Sequence, residues 1–129
     1  MKRLFIIGLA FLLLGPPMIY AEENKKIAVA STGKTVKAPV STQAARSPYY
    51  LLFDIKGKLI QVLDNPYRHA SRGAGSSAAC FLSQNEVTIV IAGNFGPKMI
   101  HNLKNKDITY LQFKGLVGDA VKKALEGRQ

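Results

Sequence analysis

The chain has 129 residues, with 18 Lys and Arg against 8 Asp and Glu and a formal net charge of +10. That length makes one domain with a single modest core, and the basic excess selects an anionic partner: a small anion, a metal cluster, nucleic acid or a membrane surface. A lone cysteine, Cys80, excludes an internal disulfide, and one cysteine with two histidines cannot complete a closed four-ligand zinc site.

Met1-Lys2-Arg3 is a short basic start, and Leu4 to Leu14 is an apolar run of 11 residues that Gly15-Pro16-Pro17 breaks. Ile19-Tyr20-Ala21 fits a small-residue cleavage site, so residues 1–21 read as a secretory signal peptide cleaved after Ala21. A membrane span needs about 20 apolar residues, which ranks an uncleaved N-terminal anchor second. The expectation is a periplasmic or secreted protein with no stable membrane span, a polar lead-in over residues 22–25 and a domain over residues 26–127. Cleavage removes Lys2 and Arg3 and leaves a net charge of +8.

Lys26 to Thr32 alternates and predicts a first strand. Gly33 to Pro48 is a loop rich in Lys, Ser, Thr and Pro, too long for a hairpin turn. Tyr49 to Ile55 is a second strand, Lys56-Gly57-Lys58 a tight turn, and Leu59 to Leu63 a third strand. Asn65 to Arg72 is a loop opening into Gly73-Ala74-Gly75-Ser76-Ser77. A helix follows to about Asn85, with Ala74, Ala78, Phe81 and Leu82 on its packing face.

Val87 to Ala92 is rich in β-branched residues and apolar on both faces, as a central strand of a covered sheet would be. It stops at Gly93-Asn94-Phe95-Gly96, and Pro97 suits the first turn of a helix reaching Lys106, with Met99, Ile100 and Leu103 inward. Ile108 to Phe113 is a fifth strand, and Gly115 to Glu126 a third helix burying Leu116, Val117, Ala120, Val121 and Ala124.

The order βββαβαβα, with right-handed crossovers, predicts an α/β fold: a five-stranded mixed sheet in the order 3-2-1-4-5, helices on both faces, in the ribonuclease-H-like arrangement. Strands one, three, four and five then end at one edge, where strand two begins. In open α/β sheets ligands sit at that carboxyl edge. Lys34, Lys37, Arg46, Arg68, Arg72, Lys98 and Lys114 lie in or beside its loops, opposed by Asp64, and three helix N-termini add to the positive field. The predicted anion site comprises Lys34, Arg46, Arg68, Arg72 and Lys98, with Gly73, Gly75 and Asn94 at the helix entrances.

Two side chains are candidate metal ligands. His69 sits on the basic loop between Arg68 and Arg72, where an isolated histidine is otherwise simply solvated. Cys80 lies off the apolar face of its helix, on the flank with Ser76 and Ser83.

Three familiar motifs fail on context. Thr32-Gly33-Lys34-Thr35 ends like a P-loop, but Ala28 stands where the first glycine belongs and no helix follows. Gly73-x-Gly75-x-x-Ala78 matches a dinucleotide fingerprint without the acidic residue expected about 20 positions on; close packing and amides near a ligand both account for the small residues. The carboxylate centre of a ribonuclease H is missing, since Val29, Ala30 and Ser31 occupy the first strand, which argues against hydrolysis. No exposed aromatic row marks a nucleic-acid groove.

Lys26-Ile27-Ala28-Val29-Ala30, Arg46-Ser47-Pro48-Tyr49-Tyr50, Asn65-Pro66, Gly73-Ala74-Gly75 with Ala78-Ala79, and Val90-Ile91-Ala92-Gly93-Asn94-Phe95-Gly96-Pro97 occur in order between Lys26 and about Gly127. With these motifs the chain resembles the dinitrogenase iron–molybdenum cofactor biosynthesis family, which includes NifX and the C-terminal part of NifB. The resemblance implies the same fold and a non-catalytic role: binding or carrying an anionic iron–sulfur or iron–molybdenum-type cluster, or its precursor. Family members commonly carry His-Phe-Gly-Arg before strand two; Gln43-Ala44-Ala45-Arg46 keeps the arginine without the histidine. The competing expectation is a periplasmic protein-interaction domain with no prosthetic group, in which Cys80 marks a dimer interface.

Overall fold

The computed structural model describes residues 25–127. The signal peptide expected at residues 1–21, and the lead-in at 22–25 apart from Lys25, lie outside the described residues. The strands are β1 (Lys26–Ser31), β2 (Tyr49–Phe53), β3 (Leu59–Asp64), β4 (Val87–Ala92) and β5 (Thr109–Gln112); the helices are α1 (Ala74–Gln84), α2 (Pro97–Asn105) and α3 (Val117–Glu126). The sheet order is β3-β2-β1-β4-β5, as the crossover argument requires. β1 pairs antiparallel to β2 and parallel to β4, β2 pairs antiparallel to β3, and β4 runs parallel to β5. The carboxyl ends of β1, β3, β4 and β5 therefore share one edge.

Strand alternation divides the core in two. Ala28, Ala30, Tyr50, Leu52, Val90 and Ala92 point to one face and pack against Ala78 and Leu82 of α1 and Met99 and Leu103 of α2. Ile27, Val29, Leu51, Phe53 and Ile91 point to the other, under Val117, Ala120, Val121 and Ala124 of α3. Two helices thus cover one face and a single helix the other. Among the described residues no helix is long and apolar enough to cross a membrane.

Several boundaries move for local reasons. α1 opens at Ala74, so Gly75, Ser76 and Ser77 form its first turn instead of a loop; tertiary packing overrides their poor helix propensity. β2 ends at Phe53 because Asp54 starts the turn, its Oδ1 accepting the Lys56 and Lys58 N–H groups at 2.9 Å. Leu116, expected in the buried face of the third helix, is 45% exposed. It is the extended N-cap residue of α3 and forms a bridge with Pro39.

The long loop between β1 and β2 is tied down along its middle. Ser41 N–H donates to Ala30 O and Val40 N–H to Gly115 O, each at 2.8 Å. Beyond these, Gly93 N–H donates to Ser41 O at 2.8 Å and Ala44 N–H to Asn94 O at 3.0 Å. The segment 41–44 thereby lies beside the end of β4, with Gln43 bridged to Asn94.

Candidate functional site

α1 and α2 begin side by side at the carboxyl edge. The N-cap of α1 is Gly73, in the left-handed region at φ 71°, where a glycine costs least. The N-cap of α2 is Gly96, followed by Pro97. Neither helix has a side-chain cap. Bonding within each helix starts at Ser77 N–H to Gly73 O and Ile100 N–H to Gly96 O, both 3.0 Å. The earlier amides of each first turn, at the positive ends of the two helix dipoles, are left for water or a ligand.

Gly75 lets the two starts come together. A Cβ added there would lie 3.0 Å from Met99 N and 3.2 Å from Met99 Cβ. Between the helix starts opens a groove of about 350 Å3, lined by Gly73, Ala74 and Gly75 on one side, Gly96 to Met99 on the other, and Ala45 and Arg46 from the long loop. It continues past Ala45, Arg46 and Gly96 into a hollow of about 270 Å3 reaching Gln43 and Asn94. Asn94 then borders a third hollow of about 510 Å3 with Thr42, Gly93, Gln112 and Lys114.

Arg46 owes its place to buried polar residues on neighbouring elements. The Asn65 carboxamide, 3% exposed, donates to Ala45 O at 2.8 Å and Ser47 O at 2.9 Å, and its Oδ1 accepts Tyr67 N–H at 3.0 Å. Buried Tyr50 donates from its hydroxyl to Ala44 O, and Ser47 Oγ donates to Ser31 O at 3.1 Å. Burial pushes the Tyr50 hydroxyl well above the ordinary tyrosine range, so it stays a donor. The Arg46 guanidinium itself donates to Ala70 O, linking this loop to the one before α1.

The predicted residues do not all gather. Arg46, Gly73, Gly75 and Lys98 line the first groove, and Asn94 joins through the second. Arg72 is exposed next to Gly73, and Arg68 is exposed earlier in the same loop; neither lines the groove. Lys34 departs: its Nζ sits 5.5 Å above the Tyr49 ring, and Tyr49 packs with the core under α3, on the opposite face. The third helix start is also not free, since Val117 N–H donates to Ala38 O and Gly118 N–H to Val36 O, both 2.9 Å. Two helix starts, not three, face the groove.

Neither metal candidate finds company. His69 and Cys80 are exposed and line no part of the groove. Among the described residues no group of three or more His, Cys, Asp or Glu is placed to hold a metal ion. The donor set of the groove is two cations and backbone amides, which suits an anion held without side-chain ligation. The positioning residues Asn65 and Tyr50, and the groove residues Ala45, Gly96 and Met99, were outside the predicted set. Asn65-Pro66 after a strand signals a turn, but nothing local says that its amide reaches across to Ala45.

A family model described as dinitrogenase iron–molybdenum cofactor matches residues 25–127. The apo form of the orange protein from Desulfovibrio gigas superposes with a TM-score of 0.75 at 28% identity, covering 80% of this chain and 88% of that one. A NifB candidate from Thermotoga gives 0.68 at 29% identity, covering 80% and 89%. A dinitrogenase candidate from Methanocaldococcus jannaschii, at 17% identity and 0.54 over 79% and 88%, shares the fold. No curated protein matches the chain.

Proposed function

Because the chain belongs to the dinitrogenase iron–molybdenum cofactor family, we propose that it carries an anionic metal cluster, or the iron–sulfur or iron–molybdenum-type precursor of one, as cargo and performs no catalysis on it. The observation that carries this reading is the pair of uncapped helix starts facing each other across Arg46 and Lys98. Amides and dipoles aimed at one hollow stabilise negative charge without ordering any flexible group on binding. The walls between the two cations are Gly, Ala, Pro and Met, which suits a bulky, weakly hydrated metal–sulfur anion better than a small hydrated one. Gln43 stands in the adjoining hollow, so the cargo is held by charge and shape, and its release needs no ligand exchange. The basic, apolar and proline-broken start of the chain extends the reading to a domain exported across a membrane before it loads.

The test uses tetrathiomolybdate, a coloured metal–sulfur dianion, titrated anaerobically and followed by absorption, beside elemental analysis of protein purified anaerobically from its own cells. The expected result is stoichiometric uptake that weakens with salt. Arg46→Ala and Lys98→Ala should each lower affinity about tenfold or more, as loss of a charge-assisted contact does. Failure of the wild type to take up metal, or a double variant that binds like the wild type, overturns the reading.

A further inference from the structure

Among the described residues the carboxylates are unevenly placed. Asp54, Glu86 and Asp107 sit at the amino edge of the sheet, in the connections before β3, β4 and β5. Asp119 and Glu126 belong to α3, and Asp64 stands opposite Tyr49, whose ring packs on the α3 face. No carboxylate occurs in residues 65–85 or 93–106, so the layer of α1, α2 and the loops leading into them carries cations alone. Arg46 and Lys98 serve the groove. Arg68 and Arg72 are exposed beside it and line no part of it.

The segment carrying these two arginines is already ordered. Tyr67 N–H donates to Asn65 Oδ1 at 3.0 Å, Ala70 N–H donates to Tyr67 O at 3.1 Å, and the Arg46 guanidinium holds Ala70 O. The Tyr67 ring meets Phe81 of α1 edge-on, with centroids 6.2 Å apart, and both rings are half-buried. α1 itself bears no charge. Arginines around partly covered aromatic rings, with no acid opposing them, have the composition of a protein-binding hot spot. Each planar guanidinium can take a carboxylate in two parallel bonds. A bilayer has less to hold, since no exposed large apolar side chain comes from this loop, α1 or α2. Single-stranded nucleic acid needs free ring faces, whereas these two rings pack on each other. A symmetric pair of chains through this face would set the same cations against one another.

We propose that the loop before α1 and the outer flank of α1 form a docking face for an acidic segment of a partner protein. Its carboxylates pair with Arg68 and Arg72, and one apolar side chain rests on Tyr67 and Phe81. Because the loop is held before the partner arrives, little ordering opposes the contact. Long-range attraction speeds the encounter and weakens with salt. These four residues line no part of the groove, so the contact does not depend on any cargo.

The test is a titration of the purified protein, without added metal and at low salt, followed by amide and side-chain NMR. The probe is a nonapeptide of glutamates around a central leucine, compared with one in which glutamine replaces every glutamate. The expected result is weak, saturable binding of the first peptide alone, with shifts at Tyr67 to Arg72 and at Phe81. Glycine in place of the leucine should weaken it several-fold. Arg68→Glu with Arg72→Glu should weaken it about tenfold or more. Lys122→Glu with Lys123→Glu makes the same change of net charge on exposed residues of α3 and should alter it less than about twofold. Equal losses in both double variants, shifts confined to the groove, or a leucine that makes no difference overturns the proposal. Tighter binding at this face by phosphatidylglycerol vesicles or a single-stranded oligonucleotide also overturns it, and assigns the face to lipid or nucleic acid instead.

Discussion

Gly75 of α1 touches Met99 of α2 at the point where both helices begin, with room for no more than a hydrogen between them. The approach aims two sets of first-turn amides at one hollow. It also explains a helix that opens Ala-Gly-Ser-Ser, a sequence with poor intrinsic helix preference.

Gly75→Ala therefore pushes against backbone, and the helix starts must separate by a few tenths of an ångström. We expect a loss of roughly 1–3 kcal/mol, in the range of overpacked sites. Thermal and denaturant unfolding measure it. A variant as stable as the wild type, or more so, would show that α1 and α2 are free to slide. Uptake of the probe anion should fall as well, since a wider gap moves amides off their target.

Gly93 makes a second and tighter contact. A Cβ there would stand 2.9 Å from Thr42 Cα and 3.3 Å from Ser41 O. Gly93→Ala should dislodge segment 41–44 from the end of β4 and cost at least as much as the change at Gly75. Amide exchange at Ala44, whose N–H donates to Asn94 O, should speed up. Unchanged protection there would mean that the loop is held by other contacts.

Asn65→Ala removes the two donors that satisfy Ala45 O and Ser47 O. With a buried carbonyl left unpaired, the expected destabilisation is about 1–3 kcal/mol. The more telling readout is binding: Arg46 follows Ala45 directly, so affinity for the probe anion should fall although Asn65 does not itself line the groove. Wild-type affinity at reduced stability would separate the loop's anchoring from the site.

Tyr50 supplies the pH dependence. Its folded-state pKa lies above the ordinary value of 10.0 because burial penalises the phenolate. The unfolded chain therefore releases this proton first as pH rises through about 10, and stability falls above that point. Below it the contribution is fully present. Tyr50→Phe should lose the hydrogen bond to Ala44 O, costing about 1 kcal/mol at neutral pH, and should flatten the alkaline decline. Urea midpoints measured between neutral and strongly alkaline pH check both effects. An equally steep decline in the variant would assign it to other groups.

Much of the fold could be read locally. Val87 to Ala92, β-branched and apolar on both faces, is a central strand flanked by β1 and β5. Gly96-Pro97 starts a helix where such a pair should, because proline presets the first-turn backbone and has no amide to waste. The sheet order followed from crossover handedness, a property of every L-chain, and the sheet order alone brought Arg46, Gly73, Asn94 and Lys98 to one edge. The composition of the long loop said nothing of which face each cation would take.

That division belongs to the tertiary structure. Lys34 and Arg46 sit on one loop, yet the loop crosses the sheet edge between them and leaves Lys34 on the α3 side. Val36 and Ala38 occupy the first amides of α3 with their own carbonyls, so a helix start that looked available is already satisfied. The sequence alone determined the elements, their order and the edge at which charge collects, because propensity, periodicity and handedness act over a few residues. Only the fold decided which cations share a hollow and which amides stay free, since those depend on contacts between residues 20 or more positions apart, such as Asn65 with Ala45 and Gly75 with Met99.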